Sequence, residues 1–299
     1  MIDMSIVSRE YKDRLFNFLF GSEENKEWTL SLYNAVNRSD YKDASQIQIT
    51  TIREVMYLSM HNDVSFLISD EMNLYEQQST FIPNMPLRQL QYAGNLYEKY
   101  ITEHKMNKFG SKLLTLPVPK LVVFYNGTLD REDETILRLS DSFPEGADAD
   151  IEVRVRMINI NYGRSEDILE ICEPLKEYAW LVEEIRRNRK DAEIEEAVDM
   201  AIADMPQDYV IKPFLEAHKV EVKGMLLTEY NEAETMELFK EEGREEGRIE
   251  GRAEGRAVGR AEGFTEAMIA LAKEGLISVS VGASRAGVSE EAFRKQMTM

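Results

Sequence analysis

Residues 62–80 read NDVSFLISDEMNLYEQQST, and this stretch decides the predicted fold. Apolar residues alternate with polar ones on both sides of residues 69–72 (SDEM), as in two antiparallel strands joined by a polar turn. A four-residue turn at this point would place Phe66 opposite Tyr75. The stretch therefore predicts a β-hairpin with one apolar face and one polar face.

The polar face of this hairpin carries the side chains that could do chemistry. Because side chains alternate across a strand, Asp63, Ser65, Glu76 and Gln78 are expected on the same face. Cross-strand neighbours lie about 5 Å apart and diagonal ones about 7–8 Å apart. Two carboxylates at that separation can hold one hard cation such as Mg²⁺ through their oxygens. On spacing alone, the alternative is the solvent-exposed face of an amphipathic hairpin.

Helix-like and strand-like segments surround the hairpin. The predicted elements are a buried helix ending at Phe20, a helix through Val36, a strand at 47–51, a helix at 87–105, a buried central strand at 119–127, an edge or half-exposed strand at 151–160, and helices from 167 onward. This order predicts an α/β fold with a mixed β-sheet core flanked by helices and an α-helical C-terminal extension.

A four-residue repeat separates this region from the end of the chain. Glycine recurs at every fourth position and arginine follows each of the first five, the glycines being Gly243, Gly247, Gly251, Gly255, Gly259 and Gly263. A period of four advances about 40° per repeat on a helix, so the glycines would form a slowly winding stripe. One interpretation is a charge-balanced linker. The other is a helix whose glycines let a second copy approach closely, which predicts a homodimer.

These features divide the chain into four predicted parts. They are a core over residues 1–165, a helical extension over 166–240, the Gly-Arg repeat helix or linker over 241–264, and a small helical tail over 265–299. The core contains the hairpin and its candidate site. The repeat contains the candidate dimerisation segment.

The charge balance limits the kind of nucleic-acid contact that the chain could make. The formal net charge is −19, which argues against a sequence-independent basic coat for DNA. Residues 111–240 hold 16 Lys and Arg against 29 Asp and Glu, so most of the excess lies there. A local nucleic-acid groove elsewhere in the chain remains compatible with this distribution.

Composition excludes several other classes. Hydrophobic residues make up 43% of the chain, which excludes a mainly disordered protein. No run approaches the roughly 20 apolar residues of a membrane span, and residues 1–10 lack the pattern of a secretory signal. A single cysteine, Cys172, excludes an internal disulfide and a zinc site built from thiolates alone. The expected compartment is a reducing bacterial cytoplasm.

The hairpin and three further motifs resemble a known family. The motifs are KDRLF at 12–16, PNMPLR at 83–88 and KLVVFYNG at 120–127. In this order they are similar to the bacterial PD-(D/E)XK nuclease family transposases, the Rpn recombination-promoting nucleases, over roughly residues 10–165. The resemblance implies a restriction-endonuclease-like core, metal-dependent DNA endonuclease activity and a part in recombination or transposition-like events.

The resemblance also implies roles for particular residues. Asp63, Glu76 and Gln78 would be the catalytic residues, Glu76 as the acid of the E-x-K element and Gln78 at its lysine position. Asp63 and Glu76 would bind Mg²⁺, for which Mn²⁺ can substitute. The backbone carbonyl of Gln77 and the carboxylate of Asp13 would complete the metal site. A further residue, Arg88, could contact the phosphate of DNA, although an ordinary surface arginine is an equal alternative.

One departure from the wider superfamily leaves two other functions open. The position of Gln78 usually holds lysine there, whereas a glutamine amide can hydrogen-bond water or phosphate but carries no charge and cannot act as a base. Gln is usual in this branch of the superfamily. The alternatives are a catalytically inactive DNA-binding or regulatory relative, and an oligomerisation scaffold.

Overall fold

A computed structural model describes residues 15–50 and 64–297. Its strands are β1 (Gln48–Ile49), β2 (Val64–Ile68), β3 (Glu71–Gln78), β4 (Val118–Tyr125), β5 (Glu134–Arg138) and β6 (Arg154–Asn159). Its helices are α1 (Leu15–Phe20), α2 (Lys26–Asn37), α3 (Met85–Glu103), α4 (Glu166–Leu169), α5 (Glu173–Asn188), α6 (Ile194–Asp204), α7 (Lys212–Ala217), α8 (Lys219–Lys273), α9 (Val279–Ala286) and α10 (Glu290–Met297). The chain divides into two compact units between Ala233 and Glu234.

The first unit is built on one mixed sheet. The six strands lie in the order β1-β2-β3-β4-β6-β5. The first three form an antiparallel meander, β4 pairs in parallel with β3 and β6, and β5 is antiparallel to β6. The predicted α/β class with a mixed sheet flanked by helices is confirmed.

The hairpin turn is shorter than predicted. Ile68 pairs with Glu71, so only Ser69 and Asp70 form the turn, and Ser69 adopts a left-handed φ of 52°. Phe66 consequently lies opposite Asn73, and the predicted pairing is wrong by two residues. Because side chains alternate with a period of two, a shift of two residues leaves every side chain on its predicted face.

One face of the sheet carries an aromatic core. Phe124 of the central strand β4 lies 5.2 Å from Phe16 and 5.3 Å from Tyr75 between ring centroids. The same core includes Tyr178 of α5, so the helices after the sheet share one hydrophobic interior with the strands. These buried aromatic contacts fix α1 and α5 against this face.

The other face is covered by α3, close to the helix predicted at 87–105. Leu74 of β3 packs there with Tyr92 and Leu96, while Met85 packs with Val123 and Tyr125 of β4. Two separate apolar clusters therefore hold α3 against β3 and β4. The helix starts at the Gln78 end of β3, after the short connection at 79–84.

The last strands differ from the prediction. The strand predicted at 119–127 lies centrally, as expected. The strand predicted at 151–160 is β6, which lies between β4 and β5, so the edge alternative is wrong. The edge strand on this side of the sheet is β5. Its sequence ETILR alternates, but five residues with two charged ends were not enough to predict a strand.

The second unit contains the end of α8 together with α9 and α10. The Gly-Arg repeat at 241–264 lies within α8, which runs without a break from Lys219 to Lys273. Phe293 is fully buried against Met268 and Ala283, and a Cβ added to Gly282 would lie 2.7 Å from its ring. No helix within the described residues is both long enough and apolar enough to cross a bilayer.

The aromatic core generates a stability prediction. We expect Phe124→Ala to lower the free energy of unfolding by about 3–5 kcal/mol, because it removes a fully buried ring and leaves a cavity. Ile136→Ala, at a position that is 41% exposed on β5, should cost less than about 1 kcal/mol. Urea denaturation followed by circular dichroism measures both. Equal losses in the two variants would contradict the assignment of this core.

Candidate active site

Glu76 and Gln78 project from the face of β3 that α3 covers. Ser65 pairs with Leu74, two residues before Glu76, so Ser65 lies on this face as well. Both Glu76 and Gln78 are only 2% exposed. The alternative of a solvent-exposed acidic face is therefore wrong for Glu76, whose carboxylate lies between the sheet and a helix.

Arg88 of α3 compensates this buried charge. Its Nη2 donates to Glu76 Oε1 at 2.6 Å, and the two side chains are 35% and 3% exposed respectively. Tyr92, one turn further along α3, accepts from Arg88 Nη2 at 2.9 Å and from Nε at 3.3 Å. A buried carboxylate needs a counter-charge and hydrogen bonds to remain ionised at tolerable cost. Arg88, oriented by Tyr92, provides both.

Gln78 and Gln77 lie on opposite faces of β3. Gln78 Nε2 donates to the Met85 sulfur at 2.6 Å, and a thioether is a weak acceptor. Gln77 Nε2 donates to Asn126 Oδ1 at 2.6 Å on the aromatic side of the sheet. Of these two residues only Gln78 can bring its side chain to Glu76. The role predicted for Gln77 uses its backbone carbonyl and does not depend on its side chain.

Gln89 is a buried polar residue of α3 that the sequence did not reveal. It is fully buried on α3, directly after Arg88, and neither of its amide atoms has a partner within the part of the chain that the structure describes. The Oε1 atom of Gln78 is also buried without a hydrogen-bond partner among the described residues. Buried amides are normally hydrogen-bonded, so both groups are suited to hold a water molecule or a ligand atom. The sequence did contain one indication of this burial, since Gln89 lies at helical spacing from Met85 and Tyr92 and therefore on the same face of the helix.

The described residues supply part of the predicted metal site. Asp13 and Asp63 lie outside them, and Glu76 is the predicted carboxylate ligand that is described. Within residues 15–50 and 64–297 no group of three His, Cys, Asp or Glu side chains could hold a metal ion. The carboxylate of Glu76 and the amide oxygen of Gln78 nevertheless have the oxygen chemistry that Mg²⁺ prefers. The described part of the predicted site therefore offers one carboxylate and one amide oxygen.

The Glu76–Arg88 pair can be tested by its energetic coupling. In a double-mutant cycle with Glu76→Gln and Arg88→Met, we expect a coupling of about 0.5–3 kcal/mol in the free energy of unfolding. The exposed pair of Arg38 and Asp167, at 3.1 Å, is the matched control and should couple by less than about 1 kcal/mol. Urea denaturation of both cycles gives the two values. A coupling at Glu76 no larger than the control would contradict the pairing described above.

The chain was compared with family models, curated proteins and solved structures. It matches no family model, no curated protein and no solved structure. Any functional assignment therefore depends on the chemistry of Glu76, Gln78, Arg88 and their neighbours, together with the motif resemblance.

Proposed function

We propose that this chain is a metal-dependent DNA endonuclease with a restriction-endonuclease-like core, and that it acts in recombination or transposition-like events. The observation that carries the proposal is the buried carboxylate of Glu76, which shares a face with Gln78 and is paired with Arg88. Burying a charge in a sheet costs stability, and a buried carboxylate with a specific charged partner is a candidate functional group. The meander followed by α3 and the parallel strand β4 supports the proposed core.

The proposed metal site uses Glu76 with Asp63, assisted by Asp13 and the backbone carbonyl of Gln77. When bound there, Mg²⁺ or Mn²⁺ supplies Lewis-acid polarisation of a phosphate and a more acidic bound water. Gln78 contributes an amide that orients water and cannot itself accept the proton. Proton removal from the attacking water would therefore fall to a carboxylate or to solvent.

Arg88 has two successive partners in this proposal. Without a cation, its guanidinium neutralises Glu76. If a cation were bound at the carboxylate, the planar donors of the guanidinium would be well suited to a phosphate oxygen. Its side chain is 35% exposed, which leaves it reachable from solvent. The same residue would then bind the scissile phosphate or one next to it.

A cleavage assay tests the proposal directly. We expect wild-type protein with Mg²⁺ or Mn²⁺ to nick supercoiled plasmid, and EDTA to abolish the nicking. Asp63→Asn and Glu76→Gln should each lower the rate by at least about 100-fold, since even residues one step removed from a metal are often worth 10–100-fold. Asp150→Asn and Glu132→Gln change exposed acids elsewhere in the unit and should leave the rate unchanged.

The outcomes separate the three candidate functions. Circular dichroism first verifies that the variants are folded. Wild-type rates in either folded site variant would exclude the proposed active site. DNA binding without cleavage would favour the inactive relative, for which the uncharged Gln78 beside the Met85 thioether is the supporting observation. Neither binding nor cleavage would favour the scaffold.

We further propose that residues 241–264 form a homodimer contact. In α8 a Cβ added at Gly247, Gly251, Gly255, Gly259 or Gly263 would meet no atom within 4 Å, so the stripe is open. The arginines that follow the glycines are exposed, at least at Arg248, Arg252 and Arg256. Two such helices could pack closely with their glycine stripes facing each other, and the arginine side chains of one copy could then pair with acidic side chains of the other. A dimer would supply two active sites for the two strands of a duplex.

Substitution of the stripe tests the dimer. We expect Gly251→Leu with Gly255→Leu to shift the protein toward monomer, and to reduce double-strand cleavage more than nicking, because leucine holds the helices apart. Gly251→Ala with Gly255→Ala is the control that raises helix propensity with little bulk. Light scattering measures the mass. Truncation after Lys240 removes the segment. If the number of chains per particle then stays the same as in the wild type, the segment is not the dimer contact.

A further inference from the structure

The loop between α3 and β4 is basic in an acidic protein. Residues 104–117 read HKMNKFGSKLLTLP and contain three lysines and no acidic residue, in a chain with a net charge of −19. All three lysines, Lys105, Lys108 and Lys112, are exposed. Lys108 pairs with Glu98 of α3 at 2.5 Å, whereas Lys105 and Lys112 have no ion pair among the described residues and carry the free positive charge of the loop. A polyanion is the partner that this charge distribution favours.

The same loop exposes two large apolar side chains. Phe109 is 89% exposed and Leu113 is 92% exposed. The ammonium of Lys108 lies 5.6 Å from the centroid of the Phe109 ring. An aromatic ring held in solvent among cations is the combination with which proteins stack unpaired bases while contacting the phosphates between them.

A cavity opens at the base of this loop. Its volume is about 230 Å³, and it lies between the hairpin turn and the C-terminal end of α3. Its lining includes Gln46, Gln48, Asp70, Tyr100 and His104. The rings of the last two are stacked with their centroids 4.0 Å apart. The rings and the apolar lining residues Leu67 and Leu116 suit the flat face of a nucleobase, and the amides and the carboxylate can hydrogen-bond its polar edge.

We propose that residues 104–117 and this cavity form a binding site for single-stranded nucleic acid. One base stacks on Phe109, a neighbouring base enters the cavity, and the phosphates contact Lys105 and Lys112. The inference deepens the proposed function, because it assigns an unpaired strand as part of the substrate. His104 directly follows α3 and lies 16 residues beyond Arg88, roughly 24 Å along the helix axis. The bound bases therefore lie apart from the phosphate that is cut.

Binding can be measured independently of cleavage. Fluorescence anisotropy of a fluorescein-labelled 15-nucleotide oligo-dT in EDTA reports affinity without turnover. We expect Phe109→Ala to weaken binding by about 5- to 150-fold, the effect of losing one base stack. Lys105→Ala with Lys112→Ala should lower the slope of log affinity against log salt by about 1.4, for two lost phosphate contacts.

Matched controls come from exposed residues on other elements. Tyr162→Ala removes an aromatic ring that is 49% exposed, and Lys176→Ala with Lys190→Ala removes two exposed lysines. Both control proteins should bind as the wild type does. Weaker binding in the loop variants alone supports the site, even if the wild type proves unable to cleave DNA.

Three results would overturn the site. The first is no binding of the oligonucleotide by the wild type, and the second is wild-type affinity in both loop variants, whatever the cleavage assay gives. The third is binding to phosphatidylserine vesicles that Phe109→Ala abolishes while oligonucleotide affinity stays unchanged, which would identify the loop as a membrane contact instead.

Discussion

The pairing of Glu76 with Arg88 constrains the architecture around it. A carboxylate on a central strand, beneath a helix, is destabilising unless a cation reaches it. The guanidinium of Arg88 reaches this carboxylate only if α3 begins close to the end of β3 and its first turns pack over Glu76. The apolar contacts of Leu74 with Tyr92, and of Met85 with Val123, hold the helix in this position. Charge compensation and apolar packing therefore specify the same placement of one helix.

Both faces of the sheet combine apolar packing with buried polar groups. The aromatic core lies on one face, where Asn73 is fully buried and neither of its amide atoms has a partner within the described residues. The face with Glu76, Gln78 and Gln89 also contains buried polar groups, two of them amides whose hydrogen-bonding capacity is not met within the described residues. The apolar clusters on the two faces provide the free energy that these polar groups cost.

Strong local patterns were predictable from the sequence. The alternation in β2 and β3 predicted the face of Glu76 correctly, and the apolar run of β4 predicted a central strand. The length of the turn was not predictable, because the polar run of Ser69, Asp70 and Glu71 resembles a loop while the strand pairing already resumes at Glu71. The partner of Glu76, in contrast, could not be predicted. Arg88 is 12 residues away in sequence and lies on a helix, and the periodicity of a strand or a helix does not show which residues of the two come into contact.

Two further features could be recognised only in three dimensions. Gln89 looks like an ordinary helix residue until the surrounding packing shows that it is fully buried. Similarly, the sequence of residues 104–117 does not reveal that Phe109 remains in solvent, because a phenylalanine between lysines could equally turn inward. Burial depends on the whole fold. A sequence therefore predicts which residues are buried only where its apolar residues recur with a clear helical or strand period.

The position of β3 in the sheet also determines what can move at the candidate site. Residues 71–75 of this strand pair with β2 on one side and with β4 on the other, so their amide protons should be among the last to exchange with solvent. The pairing with β4 continues through Glu76 and Gln78, which fixes the backbone that carries both side chains. Adaptation to a ligand is left to the long side chain of Arg88, which must exchange its contacts with Glu76 and Tyr92 while the strand keeps its place.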